Sequence, residues 1–144
     1  EMTRFNITLN EGVNFVIDSF SRMIGGELFV PKIPSFKITD LAKAIAPGAK
    51  IKIIGKRSGE KVHEEMITES DSSNTIEFKK YFIIVPDTKY TSLNKQQYMR
   101  TFQRKGAKVV KKGFNYSSKN NKEFLTVKDL KELIKNNILN DKVR

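Results

Sequence analysis

The sequence has no cysteine and only one histidine, His63. Without cysteine the chain forms neither disulfides nor thiolate metal sites, which favours a reducing compartment. One histidine cannot complete a zinc site of the H-E-x-x-H type and gives no support to a Ser-His-Asp triad. We therefore interpret His63 as an ordinary histidine on a helix surface. No apolar run approaches the roughly 20 residues of a membrane helix, and no secretory signal opens the chain, so we expect a cytoplasmic protein.

The motifs that bind dinucleotides and transfer hydride are also lacking. The sequence contains neither G-x-G-x-x-G nor G-x-x-G-x-x-G, and no phosphate-binding P-loop. No tyrosine is followed four residues later by lysine. Glu64 and Glu65 are adjacent carboxylates that point in different directions on a helix, so we interpret them as solvated. The sequence predicts no catalytic residue, no cofactor-binding residue and no metal ligand in this chain.

What the sequence does have is an uneven positive charge. The net charge is +11, and residues 88–122 contain ten lysines and arginines but no acid. One interpretation is a solvated face, or a surface that meets an acidic neighbour. The alternative is a module that binds nucleic acid, in which Phe102, Phe114 and Tyr116 stack on bases. A second alternative is an assembly element that uses the same segment.

Capping patterns and apolar spacing predict two well-marked helices. Thr8 and Glu11 form a capping box at the start of one helix, which ends at Gly25–Gly26. Thr126 and Asp129 start the final helix in the same way. Apolar residues at helical spacing give the first helix one apolar face: Leu9, Val13, Val16, Phe20 and Met23.

The other elements rest on weaker patterns. Strands are predicted at 27–31, 51–54 and 81–85, and residues 109–110 fit a short strand. Further helices are predicted from Thr39 to Pro47 and over 61–68, with a polar loop at 70–75. Alternating helices and strands indicate an α/β fold. A change in composition near Asp87 divides the chain into a domain at 1–86 and an extension at 87–144 that ends in a helix. The first residue, Glu1, is not methionine, so we expect a fragment of a longer protein.

Four segments together resemble a known family. They are Met2–Phe5 with Thr8–Gly12, Val30–Ser35 with Ile38–Ala42, Gly55–Lys61 with His63–Glu65, and Gly113–Ser118 with Asn120–Asn121 and Phe124–Leu125. In order and spacing these segments resemble the C-terminal portion of inverting UDP-N-acetylglucosamine 4,6-dehydratases, which are extended short-chain dehydrogenase/reductases of surface polysaccharide synthesis and flagellin glycosylation.

The resemblance implies a fold and a reaction. The chain would be the small substrate-binding domain of such an enzyme without its Rossmann domain. The intact enzyme would use NADP to take hydride from the sugar 4-position, lose water across the 5- and 6-carbons, return hydride to the 6-carbon and invert the 5-carbon. The cofactor and catalytic residues would precede Thr3–Phe5, in an N-terminal Rossmann domain. Family enzymes form dimers or hexamers, so a homo-oligomer is expected, and epimerase chemistry of neighbouring families stays open.

The resemblance also implies three substrate-binding residues. Arg4 and Arg57 match arginines that reach the phosphates of UDP-N-acetylglucosamine, and Glu60 matches an acid that accepts hydrogen bonds from ribose hydroxyls. The chemistry suits these roles, because guanidinium groups offer paired donors to a diphosphate and a carboxylate only accepts hydrogen bonds.

Overall fold

A computed structural model describes residues 1–86 and 93–139 of the chain. Helices and short strands are mixed throughout, as the α/β prediction requires. None of the helices in these two ranges is long and apolar enough to cross a membrane. The strands are β1 Thr3–Phe5, β2 Leu28–Pro31, β3 Ser35–Lys37, β4 Glu65–Ile67, β5 Thr75–Glu77, β6 Tyr81–Ile84, β7 Lys108–Val109 and β8 Tyr116–Ser117. The helices are α1 Leu9–Arg22, α2 Ile38–Ile45, α3 Lys95–Arg104 and α4 Val127–Ile134, with a 3-10 helix at Glu69–Asn74 and a π-helical turn at Lys135–Leu139.

The chain divides into two compact units, each made of separate stretches of sequence. The first unit contains residues 1–8, 33–64 and 117–144, and the second contains residues 9–32 and 65–116. Each unit therefore combines residues from both sides of position 86, so the units are not the two segments predicted from composition.

The first unit pairs two short strands and two helices. Strands β1 and β3 are antiparallel, with Thr3 opposite Lys37 and Phe5 opposite Ser35. Leu130 of α4 is 3% exposed and shares an apolar cluster with residues of β3 and α2. These contacts stabilise both α2 and α4, because each helix has one apolar side to bury. The members of this cluster are Phe36, Ile38, Leu41, Ala44, Leu125, Val127, Leu130 and Ile134.

Helix α4 begins as predicted. The Thr126 side chain accepts from Asp129 N, and the Asp129 carboxylate accepts from the Thr126 backbone and side chain. Hydrogen bonds from the Thr126 side chain, and then from its backbone, lower the pKa of Asp129 below its ordinary value. The same pair of bonds joins Thr68 to Asp71 at the start of the 3-10 helix and lowers the pKa of Asp71.

The second unit is built on a four-stranded sheet. Its order is β2-β6-β5-β7, and every neighbouring pair is antiparallel. Helix α3 covers this sheet with Tyr98 and Phe102, which are 2% and 1% exposed. The Tyr98 hydroxyl donates to the Gly25 carbonyl. The buried core of this unit contains Ile76, Ile83, Val85, Tyr98, Phe102 and Ala107.

Several predicted elements are confirmed. Helix α1, strands β2 and β6 and helix α4 lie where the patterns placed them, and β7 overlaps the expected strand at 109–110 by one residue. Helix α2 begins at Ile38, ahead of the proposed cap at Thr39, and no side chain caps it. Helix α3 was not predicted at all.

Other predictions are wrong. Residues 51–54 form no strand, because no neighbouring strand pairs with them in the described ranges. Residues 61–64 are irregular and Glu65–Ile67 is strand β4, where a helix over 61–68 was expected. The polar stretch at 70–75 is largely the 3-10 helix Glu69–Asn74 rather than a loop.

The apolar face of α1 has the predicted spacing but is exposed. None of its residues is buried, and Leu9, Phe20 and Val16 are 83%, 69% and 53% exposed. On the other side of the helix, Phe15 packs against Tyr81 with ring centroids 6.3 Å apart. Monomeric proteins rarely leave such a contiguous apolar face in water, so it has the character of a contact surface.

Candidate functional site

The candidate site is centred on a tight turn at residues 57–60. Glu60 N donates to Arg57 O at 3.2 Å, and Arg57 N donates to Glu60 Oε2 at 3.1 Å. Gly59 has a φ of +78°. This backbone conformation is costly for any residue that has a side chain. Two of the three predicted binding residues, Arg57 and Glu60, are therefore brought together, on a turn whose preceding residues are exposed.

The Arg57 guanidinium is available for a ligand. The residue is exposed, and its guanidinium makes no hydrogen bond or ion pair with any residue in 1–86 or 93–139. Glu60 is partly buried, and one of its carboxylate oxygens receives the Arg57 amide. A charged donor group and a carboxylate on one exposed turn have the chemistry to bind a phosphate and a hydroxyl group side by side.

Arg4 contacts the chain that immediately follows this turn. Its guanidinium donates to Lys61 O at 2.8 Å, to Val62 O at 3.2 Å and to Thr3 O at 2.7 Å. Its Nε lies 3.8 Å from the Glu64 carboxylate. The Arg4 side chain keeps 22% of its surface exposed, so it is not closed off from solvent.

A buried chain of hydroxyl groups lies beneath these contacts. The Thr3 Oγ1 atom is 2.7 Å from Ser118 Oγ and 2.8 Å from His63 Nδ1. Thr3 is 5% exposed and Ser118 is fully buried. The prediction that His63 is an ordinary residue on a helix surface is wrong, because His63 lies outside any helix and its ring is partly buried against Thr3.

Glu64 is anchored on both its backbone and its side chain. Its N–H donates to Ser118 Oγ at 2.9 Å, and its carbonyl accepts from Ser118 N at 2.8 Å. Its Oε2 accepts from Phe5 N at 2.7 Å. The Glu64 side chain is 44% exposed, so it is partly solvated as predicted, but its bonds to Phe5 and Ser118 were not predicted. Glu65 is exposed and accepts from Asn115.

The serines and asparagines of the segment 117–121 bond to one another and to distant parts of the first unit. Ser117 donates to Asn120 Oδ1 from its backbone and its hydroxyl, which shapes the segment locally. Ser118 bonds to Thr3 and Glu64, and Asn121 Nδ2 donates to Ile33 O at 2.7 Å and to Ser35 Oγ at 2.9 Å. The segment therefore joins three distant stretches of the first unit next to the candidate site.

Local sequence patterns did not identify Thr3, His63, Glu64 and Ser118 as parts of a site. Thr3 and Ser118 are 115 positions apart, and no periodicity connects them. The available signal was their place inside the segments that carry the family resemblance.

The basic segment has few aromatic faces available for stacking. Phe102 is 1% exposed and Tyr116 is 6% exposed, because both belong to the interior of the second unit. Phe114 is partly buried, and its ring packs against Phe82 at 5.2 Å. The proposed stacking set is therefore contradicted, although the lysines and arginines from 95 to 122 are mostly exposed. Lys89 lies outside the described residues.

The described residues provide neither a dinucleotide site nor a metal site. The glycines with positive φ lie at positions 25, 26, 55, 59, 106 and 113, and none of them lies in a turn from a strand into a helix. Such a turn, with its glycines, is what cradles a dinucleotide pyrophosphate. Within the two described ranges, no group of three His, Asp or Glu side chains is placed to hold a metal ion. The described residues therefore do not fit NADP, and none of them is assigned a step that involves it.

Two named relatives match most of the chain. It is 51% identical, over 92% of its length, to the UDP-N-acetylglucosamine 4,6-dehydratase (inverting) of Campylobacter jejuni serotype O:2. It is 34% identical, also over 92% of its length, to the UDP-glucose 4-epimerase of Rickettsia prowazekii. The chain spans 40% of the length of the first relative and 38% of the second.

A solved structure shares the fold. The X-ray structure of Pen from Bacillus thuringiensis matches 96% of this chain with a TM-score of 0.70 and 30% sequence identity, and the match covers 39% of that chain. Residues 1–86 match the family described as polysaccharide biosynthesis protein. The resemblance stated from the four sequence segments is thereby confirmed, and the chain belongs to the polysaccharide biosynthesis protein family.

Proposed function

We propose that this chain is the substrate-binding part of an NADP-dependent, inverting UDP-N-acetylglucosamine 4,6-dehydratase. The observation that carries the proposal is the exposed turn that joins Arg57 to Glu60, with an Arg57 guanidinium that no residue in the described ranges bonds. The 51% identity to a relative with this name supports the substrate. The cofactor and the groups that move protons and hydride are proposed to lie elsewhere in the whole protein, and the cysteine-free sequence suits the cytoplasm as its location.

In this proposal each site residue has one task. Arg57 pairs with the diphosphate, because a guanidinium stays charged and donates two parallel hydrogen bonds. Arg4 adds its accessible edge to the same phosphates while its other donors hold the chain after the turn. Glu60 accepts hydrogen bonds from the ribose hydroxyls.

Binding of UDP-N-acetylglucosamine to the gene's full-length product tests the proposal. We expect Arg57→Ala to weaken binding by about 1–3 kcal/mol, the scale of a lost charge-assisted contact. Lys56→Ala is the matched control, because it removes the same charge from the adjacent exposed position. Equal dissociation constants for wild type, Arg57→Ala and Lys56→Ala, measured by calorimetry, would remove Arg57 from the site.

An epimerase is the second candidate, because the Rickettsia relative at 34% identity is named UDP-glucose 4-epimerase. Both reactions require a UDP-sugar, so the turn at 57–60 serves either one. Loss of water separates them, because a dehydratase gives a 4-keto-6-deoxy sugar, whereas a 4-epimerase keeps both hydroxyls and inverts only the 4-carbon.

The exposed face of α1 supports a larger assembly. Leu9 and Phe20 on this face are 83% and 69% exposed. A neighbour that covers the face would contribute about 25 cal/mol of stabilising free energy for each Å² of apolar surface that it buries. Because the chain spans 40% of its Campylobacter relative, we propose that other parts of the whole protein, including a Rossmann domain, supply that neighbour. A homo-oligomer of the whole protein is proposed in addition.

A further inference from the structure

Among the residues that the structure describes, the turn at 57–60 is held mainly by the chain that follows it. Residues 49–56, which precede it, are exposed and form no helix or strand. Residues 61–64, which follow it, are bonded to Thr3–Phe5 and to Ser118. The position of Arg57 and Glu60 is therefore determined mainly by what holds residues 61–64.

Thr3 is the first part of that attachment. Its backbone N–H donates to Val62 O at 3.0 Å, and its hydroxyl bonds to His63 Nδ1 at 2.8 Å. One buried threonine thus fixes Val62 and His63, the second and third residues after Glu60. The β1–β3 pairing holds Thr3 in turn, with Thr3 opposite Lys37.

Ser118 is the second part. Its hydroxyl lies 2.7 Å from Thr3 Oγ1 and accepts from Glu64 N at 2.9 Å, and its backbone N–H donates to Glu64 O at 2.8 Å. Thr3 and Ser118 are 5% and 0% exposed, so neither hydroxyl can touch a ligand at the turn. Any effect of these hydroxyls on binding must act indirectly, through the groups that they bond, which include the His63 ring and the backbone of Glu64.

We propose that Thr3 and Ser118 are positioning residues that fix the nucleotide-binding turn through His63 and Glu64. The inference rests on the proposed function of Arg57 and Glu60, and it assigns roles to side chains that do not contact the substrate. Loss of a buried hydroxyl leaves its partners without a hydrogen bond, which favours opening of the segment. The turn then samples more conformations, and binding must restore the ordered one.

The test compares two substitutions at one position in the full-length product. Thr3→Val keeps the branched shape and removes the hydroxyl, whereas Thr3→Ser keeps the hydroxyl. For Thr3→Val we expect backbone amides of residues 57–64 to exchange with deuterium about five to ten times faster in the free protein, the factor that corresponds to about one lost hydrogen bond. The dissociation constant and KM for UDP-N-acetylglucosamine should rise by a similar factor, with kcat little changed. Thr3→Ser should stay within about twofold of wild type in both measurements.

A second variant guards against simple misfolding. Ser118→Ala removes the other hydroxyl and should show the same faster exchange at 57–64, with amides of α3 in the second unit unchanged as an internal reference. If Thr3→Val does not fold, as judged by circular dichroism and thermal unfolding, Ser118→Ala decides the matter. The inference is overturned if a variant that folds exchanges its amides at 57–64 as slowly as wild type does. It is also overturned if exchange is faster but the dissociation constant for UDP-N-acetylglucosamine does not change.

The two proposals fail differently. If wild-type protein does not bind UDP-N-acetylglucosamine, the proposed function fails and the positioning of a binding turn fails with it. If wild type binds and Arg57→Ala weakens binding, but Thr3→Val and Ser118→Ala both bind as wild type does, only the positioning role fails.

Discussion

The hydroxyl of Thr3 lies 2.7 Å from the hydroxyl of Ser118, although the two residues are 115 positions apart. Both side chains are buried, and Ser118 also receives the backbone N–H of Glu64. This contact joins the first strand of the chain to a segment near its last helix, directly behind the turn that carries Arg57 and Glu60. It explains why segments so distant in sequence contribute together to one family resemblance.

Glu60 should contribute to recognition of the ribose. We expect wild-type full-length protein to bind UDP more tightly than 2′-deoxy-UDP, and Glu60→Gln to lose most of this preference, by about fivefold, the value of one hydrogen bond. Glutamine keeps a side-chain oxygen that can accept from Arg57 N, so the turn is retained. Calorimetric titrations with both nucleotides check this, and an unchanged preference in Glu60→Gln would exclude a ribose contact.

Leu130 should be important for the stability of the first unit. It is 3% exposed and packs with Phe36 and Ala44. Leu130→Ala should lower the free energy of unfolding by about 2–5 kcal/mol, because it removes buried methyl groups and leaves a cavity. Lys131→Ala, at the adjacent exposed position, should change it by no more than about 0.5 kcal/mol. Urea denaturation measures both, and similar values for the two variants would contradict the packing of α4.

Asp71 should stabilise the fold in a pH-dependent manner. Hydrogen bonds from Thr68 lower its pKa in the folded protein, so its contribution is present above the unfolded value of about 3.9 and is lost as pH falls through the lower native pKa. Asp71→Asn should therefore reduce stability at pH 6 and have little effect under strongly acid conditions. Urea denaturation at pH 6 and under strongly acid conditions measures this effect. A loss of stability in Asp71→Asn that grows as pH falls would have the opposite sign and contradict the prediction.

Phe20 should respond differently in the 144-residue chain and in the full-length product. The side chain is 69% exposed in this structure, so Phe20→Lys should change the stability of the chain alone by no more than about 0.5 kcal/mol. If the α1 face is covered in the full-length product, the same change should cost about 2 kcal/mol or more there. Asn14→Lys, at an exposed position of the same helix, is the control for added charge. Equal costs in both proteins would argue against a covered face.

The sequence predicted well those elements that carry their own end signals. Thr126 and Asp129 form the expected capping box, and the 14-residue helix α1 ends before the two glycines that were expected to stop it. Helix α3 was missed, although Asn94 and Gln97 form a capping box and Tyr98 and Phe102 have helical spacing. Its other positions are mostly polar or basic, so the apolar side of the helix is narrow and its periodicity is weak.

The errors occur where distant contacts decide the conformation. Ile53 and Ile54 have strand propensity, but a strand needs a partner, and they are 85% and 74% exposed. Residues 61–64 have helical propensity, yet their backbone groups are bonded by Arg4, Thr3 and Ser118. The same distant contacts hid the environment of His63. Arg57 and Glu60 were implied by the family resemblance, and the structure brings them together on one turn.

The most direct measurement is the product formed when the full-length protein is supplied with UDP-N-acetylglucosamine and NADP. We predict a 4-keto-6-deoxy UDP-sugar with inverted configuration at the 5-carbon, identified by NMR, and a large loss of its formation at low substrate concentration in Arg57→Ala. A product that retains its 6-hydroxyl and differs only in configuration at the 4-carbon would identify an epimerase and contradict the proposed dehydratase function.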